Sequence, residues 1–212
     1  MKNKLFIYGA GGLGREVLAL IKALPDWEPA GFFDDGIAAG THVAGIKVLG
    51  GLQQLLEMKS TAQVVIAIGD PKVKAGVAKS LAANQHIQYP VLIHPNALIM
   101  DKSSIKLGDG SIITAGVKMT CDINIGKHVL INLNTTLGHD VQIGDYSSVM
   151  PGANLAGAVQ LGKGVLIGSG ANILNGLHVA DAARIGSGAV VTKNVSAGIT
   201  VVGVPAKERK LT

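Results

Sequence analysis

The chain has 212 residues, of which 48% are hydrophobic and 16% are charged, with a formal net charge of +5. No apolar run is long enough to cross a membrane, so no spanning helix is predicted. The basic residues are scattered and have no interleaved aromatic residues, which argues against nucleic acid as a partner. The short apolar run near the N-terminus is soon followed by glycine and charged residues. This favours a buried strand over a signal peptide, and we expect a cytoplasmic protein.

The N-terminal part of the chain alternates short aliphatic runs with segments of helical periodicity. This rhythm is typical of a parallel sheet covered by helices. The pattern predicts strands that include residues 5–8, 31–33 and 64–68, and helices over residues 15–24 and 73–84. We therefore predict a Rossmann-like α/β domain over residues 1–92 and a second domain over residues 93–212.

A glycine-rich loop follows the first predicted strand and opens the first predicted helix, with the sequence Gly9-Ala10-Gly11-Gly12-Leu13-Gly14. Such a loop presents backbone N–H groups and a helix N-terminus to a phosphate. Asp34 follows this loop at about the distance in sequence expected for an acid that binds ribose hydroxyls. By itself this favours an NAD(P)-binding oxidoreductase. A sheet of this length, however, has no second half for a nicotinamide.

From Leu107 onward the pattern changes to a strict period of six. Every sixth residue is aliphatic or Met, namely Leu107, Ile113, Met119, Ile125, Ile131, Leu137, Ile143, Val149, Leu155, Leu161, Ile167, Ile173, Val179, Ile185 and Val191. A second set, four residues after each of these and running from Ser111 to Val195, is small or aliphatic. Such a period predicts a parallel β-helix in which three hexamers make one triangular coil. Fifteen hexamers predict five full coils.

Motifs along the whole chain resemble one known family, the bacterial sugar acetyltransferases that modify nucleotide-linked 4-amino sugars, together with the related sialic acid O-acetyltransferases. The motifs that carry the resemblance are the Gly9–Gly14 loop, Phe33-Asp34-Asp35, Ile66-Ala67-Ile68-Gly69, Leu92-Ile93-His94-Pro95, Asn132 seven residues before His139-Asp140, and Gly203-Val204-Pro205-Ala206-Lys207. The resemblance implies that the β-helix is left-handed. It also implies a homotrimer with active sites between adjacent β-helices, acetyl-CoA as cosubstrate, and no metal.

The resemblance makes His139 the catalytic base and gives Asp140 the role of orienting it. His139 is third in its hexamer, so we expect its side chain to point outward from a corner of the coil. Gly157 has the same place in its hexamer one full coil later and should lie in the same column. In the family the matching glycine contacts the acetyl carbonyl, so we expect the Gly157 N–H to stabilise the oxyanion.

Further contacts are carried over from the family position by position. Ser169 and Ser187 match positions whose backbone lines the cofactor. Ser148 stands where close relatives often have a second histidine that contacts the acetyl group, and we expect a cofactor contact from its hydroxyl. The residues expected to bind the nucleotide-sugar acceptor are Gly11, Gly12, Leu13, Asp34, Asp35, Gly69 and Asn132.

These observations predict an enzyme that transfers an acetyl group from acetyl-CoA to an amino sugar linked to UDP or a similar nucleotide, for bacterial glycan biosynthesis. An O-acetyltransferase acting on sialic acid or another sugar is the nearest alternative, because the sequence does not separate amine from hydroxyl acceptors. An NAD(P)-binding oxidoreductase and a non-catalytic trimeric scaffold remain open. His128 and His178 lie outside the column of His139, which disfavours a metal-dependent β-helix enzyme.

Overall fold

A computed structural model describes residues 2–209 of the chain, and the last three residues of the predicted C-terminal tail lie outside this range. Within the range the chain forms an α/β domain followed by a parallel β-helix, which confirms the predicted fold class. None of the helices found there has the length and hydropathy needed to cross a bilayer.

The α/β domain is built on one six-stranded sheet with the order β3-β4-β2-β1-β5-β6. Its elements are β1 Asn3–Tyr8, α1 Gly12–Ala23, β2 Trp27–Phe33, β3 His42–Val43, β4 Ile46–Gly50, α2 Leu52–Leu56, β5 Ala62–Ile66, α3 Pro71–Leu81 and β6 Ile87–Gln88. Neighbouring strands are parallel except in the β3–β4 hairpin. The hairpin, α2 and β6 are too short to show a clear period, and the sequence did not predict them.

The β-helix is a three-sided prism of very short strands. They are β7 Leu92–Ile93, β8 Leu98–Ile99, β9 Lys106–Leu107, β10 Ile112–Ile113, β11 Lys118–Met119, β12 Asn124–Ile125, β13 Leu130–Ile131, β14 Thr136–Leu137, β15 Gln142–Ile143, β16 Ser148–Val149, β17 Asn154–Leu155, β18 Gln160–Leu161, β19 Leu166–Ile167, β20 Asn172–Ile173, β21 His178–Val179, β22 Arg184–Ile185, β23 Val190–Val191, β24 Thr200–Val202 and β25 Lys207–Glu208. Every third strand pairs in parallel, so one sheet forms each face.

We call these faces by their position along the chain. The first face contains β7, β10, β13, β16, β19, β22 and β24, and the antiparallel β25 extends it. The second face contains β8, β11, β14, β17, β20 and β23, and the third contains β9, β12, β15, β18 and β21. The chain turns at a first corner between the first and second faces, and at a second corner between the second and third faces.

The six-residue period fills the interior of the prism as predicted. Fourteen of the fifteen predicted inward residues are buried, and the remaining one, Leu107, packs against them from the open end. Small residues of the second set, such as Ala153 and Ala171, are also fully buried. One aliphatic and one smaller side chain per hexamer therefore suffice for this narrow core. Burial of each Val, Leu or Ile contributes about 1.5–3 kcal/mol.

The β-helix begins earlier than the strict period. Leu92 and Ile93 already pair with Ile112 and Ile113, which makes them the first strand of the first face. This first coil is longer than the coils that follow because it holds an extra turn near Asp101, whose carboxylate accepts a hydrogen bond from the Ser103 N–H at 3.0 Å. The additional residues break the register of six. The prediction of five coils starting at Leu107 therefore missed the first one.

The α/β domain packs on the first face of the prism. The outward residues Leu92, Ile112 and Leu130 belong to the same buried cluster as Leu18 of α1 and Phe32 of β2. Apolar residues on the outside of a β-helix face would otherwise meet water, so this cluster joins the two domains.

A second contact joins the start of α3 to the prism. Asp70 is the N-cap of α3 and accepts hydrogen bonds from the N–H groups of Lys72 and Val73. Its other carboxylate oxygen lies 2.7 Å from Nη2 of Arg184 on the first face. The Arg184 guanidinium holds the pKa of Asp70 below its usual value. The carboxylate thus satisfies the helix N-terminus and ties it to the β-helix.

Candidate active site

His139 and Asp140 form a hydrogen-bonded pair at the second corner. His139 Nδ1 lies 2.7 Å from Asp140 Oδ2, and both side chains are well exposed. Asp140 has a φ of +58°, a left-handed conformation that Asp tolerates better than most residues. Its N–H donates to the Cys121 carbonyl of the preceding coil. Because a carboxylate only accepts, Nδ1 of a neutral imidazole carries the proton and Nε2 keeps a free lone pair.

Gly157 provides the space that the imidazole occupies. A Cβ atom at position 157 would overlap His139 Nε2, so the ring lies directly against the glycine backbone. Within residues 2–209 the Gly157 N–H donates no hydrogen bond. A basic nitrogen and a bare backbone donor therefore lie side by side at the second corner. Acyl transfer needs such a pair, one group to take a proton and one to stabilise an oxyanion.

Cys121 lies in the same column, one coil before His139. Partial burial and the neighbouring Asp122 carboxylate raise the pKa of the Cys121 thiol. A protonated thiol is a poor nucleophile.

The glycine-rich loop of the α/β domain contains two kinds of glycine. Gly9 has a φ of +99°, and a Cβ at Gly14 would overlap the Gly9 carbonyl oxygen, so the fold requires both residues. Cβ atoms at Gly11 and Gly12 would meet no atom within 4 Å. The fold does not need these two glycines, and their bare backbone faces open space.

This open space is a cavity of the α/β domain. It has a volume of about 410 Å³, and its lining includes Gly11, Gly12, Leu13, Asp34 and Asp35. Helix α1 begins here with Gly11 as N-cap, without a side-chain cap or an acidic residue in its first turn. The N-terminus of α1 is therefore free to bind an anion such as a phosphate.

Asp34 and Asp35 hold the walls of this cavity in place through hydrogen bonds. Asp34 accepts hydrogen bonds from the N–H groups of Ala10 and Gly36 at 2.7 and 2.8 Å. Asp35 accepts from Tyr8 Oη at 2.6 Å and from the N–H of Leu52, the first residue of α2. The sequence predicted these acids as nucleotide contacts. The structure gives them, in addition, the task of holding the cavity wall in place.

The cavity lies near the first corner of the prism. A Cβ at Gly69 would stand 3.4 Å from Met150 Cε, so the loop that follows β5 lies close to this corner. Asn132, one coil before Met150, is only 5% exposed, and its Oδ1 accepts the Leu133 N–H at 2.8 Å. Asn132 therefore shapes the corner, and little of its side chain is accessible to an acceptor.

The predicted cofactor residues lie in three separate parts of the prism, the two corners and the first face. Ser169 and Ser187 are exposed at the first corner, whereas Gly157 lies with His139 at the second corner. Ser148 is fully buried on the first face, where its hydroxyl lies 2.8 Å from Nζ of Lys74. This burial leaves no exposed surface on Ser148 for the cofactor contact that the sequence predicted. Its hydroxyl is occupied by a lysine that the sequence analysis did not consider.

The sequence analysis named Gly69 in the segment from Ile68 to Lys74 but gave no role in the site to Ile68, Val73 or Lys74. Ile68 and Val73 line the cavity, and Lys74 connects α3 to the prism. The signal was present in Asp70-Pro71, an N-cap followed by proline that marks the start of a helix. A helix that starts after a strand adjacent to β1 must begin at the same sheet edge as the glycine loop.

Comparison with known proteins places the chain in a family. The family model of the PglD N-terminal domain matches residues 4–81. GDP-perosamine N-acetyltransferase from Escherichia coli O157:H7 is 37% identical over 136 residues, which span 62% of this chain and 60% of that enzyme. The match thus covers less than two thirds of that relative.

Solved structures match over nearly the whole chain. WeeI from Acinetobacter baumannii AYE is 32% identical, with a TM-score of 0.86 and coverage of 98% of this chain and 100% of that chain. The acetyltransferase domain of PglB from Neisseria gonorrhoeae FA1090 is 29% identical, with a TM-score of 0.89 and coverage of 97% and 99%. PerB from Caulobacter crescentus, in complex with CoA and GDP-perosamine, is 27% identical, with a TM-score of 0.90 and coverage of 98% of each chain.

A hexapeptide prism with a His–Asp pair at its corner, joined to a glycine-loop α/β domain, defines the class of hexapeptide-repeat acyltransferases. Within this class the chain belongs to the PglD/NeuD-like family of sugar acyltransferases. The resemblance deduced from the sequence motifs is thereby confirmed.

Proposed function

We propose that this protein transfers the acetyl group of acetyl-CoA to the amine of an amino sugar linked to a nucleoside diphosphate. The observation that carries the proposal is the second corner, where His139 Nε2 lies against the bare backbone of Gly157 while Asp140 binds Nδ1. The similarity to PerB, which was solved with CoA and GDP-perosamine, supports both substrate classes. The product would enter bacterial glycan or polysaccharide biosynthesis in the cytoplasm.

The proposed mechanism is a direct transfer in which each group has one task. His139 Nε2 takes a proton from the acceptor amine as its nitrogen attacks the thioester carbonyl. The Gly157 N–H donates to the oxygen of the tetrahedral intermediate. When the C–S bond breaks, the imidazolium returns the proton to the CoA thiolate. Asp140 keeps the ring oriented and stabilises its positive charge during the reaction.

The acceptor cavity and the base of one chain lie at different corners. Gly69, which follows the cavity-lining Ile68, lies close to Met150 of the first corner, and His139 is seven residues beyond Asn132, across the second face. The whole width of the second face, with strand β14, separates the two corners, and we infer that this separation is too large for direct transfer within one chain. Ser169 and Ser187 also lie at the first corner. We therefore propose a homotrimer in which the first corner of one copy faces the second corner of the next.

The test is acetyl-CoA turnover with a panel of UDP-, GDP- and dTDP-linked 4-amino sugars, with free sialic acid included. We expect His139→Ala to lower kcat for the best amine acceptor by about 10²–10⁴-fold, because the general base is lost. His86→Ala is the matched control, since His86 is an exposed histidine of the α/β domain, and it should retain full activity. Turnover of sialic acid alone would instead indicate an O-acetyltransferase.

Full activity of His139→Ala would contradict the assignment of the base. Binding of NAD(P) without any binding of CoA would support the oxidoreductase alternative. An absence of turnover with every acceptor, together with unchanged CoA binding in His139→Ala, would favour a non-catalytic scaffold.

A further inference from the structure

Lys74 is a lysine buried between the two domains. Its side chain is 2% exposed, and Nζ lies 2.8 Å from Ser148 Oγ and 3.3 Å from the Ser147 carbonyl oxygen. Burial lowers the pKa of Lys74 to about 7, an effect that Asp70 partly offsets. An amine in such a place has lost its hydration and depends on these two acceptors.

Ser148 is the one hydroxyl residue among the outward residues of the first face from β7 to β22. These residues are Leu92, Ile112, Leu130, Ser148, Leu166 and Arg184. Successive coils lie about 4.8 Å apart, so a shift of α3 by one coil would place the Lys74 amine against leucine. The Lys74–Ser148 pair therefore fixes the position of α3 along the axis of the prism to one coil. A single buried polar residue fixes register in coiled coils in the same way.

The segment that Lys74 anchors is also a wall of the acceptor cavity. Ile68 and Val73 line this cavity, while Gly69 contacts Met150 and Asp70 bonds Arg184. The position of this segment on the prism thus sets where a bound nucleotide sugar lies relative to the corners.

Stability alone does not explain a buried lysine. Replacing a buried polar pair with well-packed apolar residues is often neutral or stabilising. The adjacent cluster of Leu92, Ile112 and Leu130 shows that apolar contacts already hold this interface together. The geometry therefore indicates that the polar pair determines the placement of the domains.

We propose that Lys74, through its hydrogen bond to Ser148, is a positioning residue that fixes the acceptor cavity at the height required for acetyl transfer. This inference rests on the proposed function. Lys74 does not touch the reacting atoms in this proposal. It sets the position of the acceptor that meets the base of a neighbouring copy, and small errors in such a position cost up to about 100-fold in rate.

The test separates kcat from binding in Lys74→Met and Ser148→Ala. We expect a decrease of roughly 10- to 100-fold in kcat. The Kd values for UDP or GDP alone and for CoA should stay within about twofold of wild type, because each binding surface is intact. Lys79→Met is the matched control, since Lys79 is an exposed lysine of the same helix, and it should change neither quantity.

The double variant Lys74→Met/Ser148→Ala separates a loss of positioning from a loss of folding. Because it removes both polar partners together, its Tm should equal or exceed that of either single variant, while its kcat stays low. A folded double variant with wild-type kcat would overturn the inference. A wild-type enzyme that acetylates no nucleotide-linked amine would instead refute the proposed function, so the two failures are distinguishable.

Discussion

At the level of single residues, the relation between Gly157 and His139 controls the proposed chemistry. The imidazole lies against the glycine, and Asp140 holds its other nitrogen. The column was predictable from the sequence because every coil consists of three hexamers in unbroken register. The closeness of the contact was not, since a corner histidine has several rotamers and only its neighbours select one.

Gly157→Ala should therefore inactivate the enzyme without unfolding it. The added methyl would overlap Nε2 of His139 and would push the exposed imidazole away from the reacting atoms. We expect kcat to fall by about 100-fold, with Tm changed by no more than a few degrees. Steady-state kinetics and thermal unfolding check this expectation.

The control for this substitution is Gly76→Ala. A Cβ at Gly76, within α3, would meet no atom within 4 Å. It should be neutral or slightly stabilising, because alanine is the better helix former. Wild-type kcat in Gly157→Ala would show that the contact with His139 does not matter for transfer.

At the level of secondary-structure elements, the glycine loop between β1 and α1 combines structural and binding roles. Gly9 and Gly14 allow the loop to close against its neighbours, whereas Gly11 and Gly12 leave its surface bare. The sequence predicted a phosphate-binding loop from the motif. It did not show which glycines the fold requires. That distinction depends on two close contacts, one between Gly9 and the Ala67 carbonyl and one between Gly14 and the Gly9 carbonyl.

A pair of alanine variants separates these roles. Gly14→Ala should lower Tm strongly or prevent folding, because its methyl would overlap the Gly9 carbonyl oxygen. Gly12→Ala should retain its Tm but bind a nucleoside diphosphate about 10-fold more weakly, because the methyl enters the cavity near the N-terminus of α1. Calorimetric Kd values and thermal unfolding measure both effects. Equal losses of stability in the two variants would contradict this division.

In the molecule as a whole, we propose that one complete site is built from two copies of the chain. The proposed acceptor cavity lies next to Gly69, which is close to the first corner, whereas the proposed base lies at the second corner. Mixing two inactive variants tests this arrangement. His139→Ala lacks the base, and Gly12→Asp places a negative charge where a phosphate is expected to bind.

Unfolding and refolding an equal mixture of these variants should restore about a quarter of wild-type activity. In a ring of three, this is the fraction of interfaces that combine an intact base with an intact cavity on the next copy. Each variant refolded alone serves as the control and should stay inactive. If each site were built within one chain, the mixture would also be inactive, and the proposed intersubunit site would be refuted.

The prism, its inward residues and the column that contains His139 and Gly157 all follow from the amino-acid pattern. A period of six is a local property, because each hexamer repeats the same burial and the same turn. The glycine loop was equally predictable, since a strand, a bare turn and a helix follow one another directly along the chain.

The way in which the two domains meet follows instead from long-range packing. The early start of the β-helix, the burial of Ser148 under Lys74 and the separation of the cavity from His139 all depend on contacts between residues far apart in sequence. Lys74 and Ser148 are 74 positions apart. Neither has a periodic or local signal that would predict their pairing, because it arises only when α3 packs on the first face.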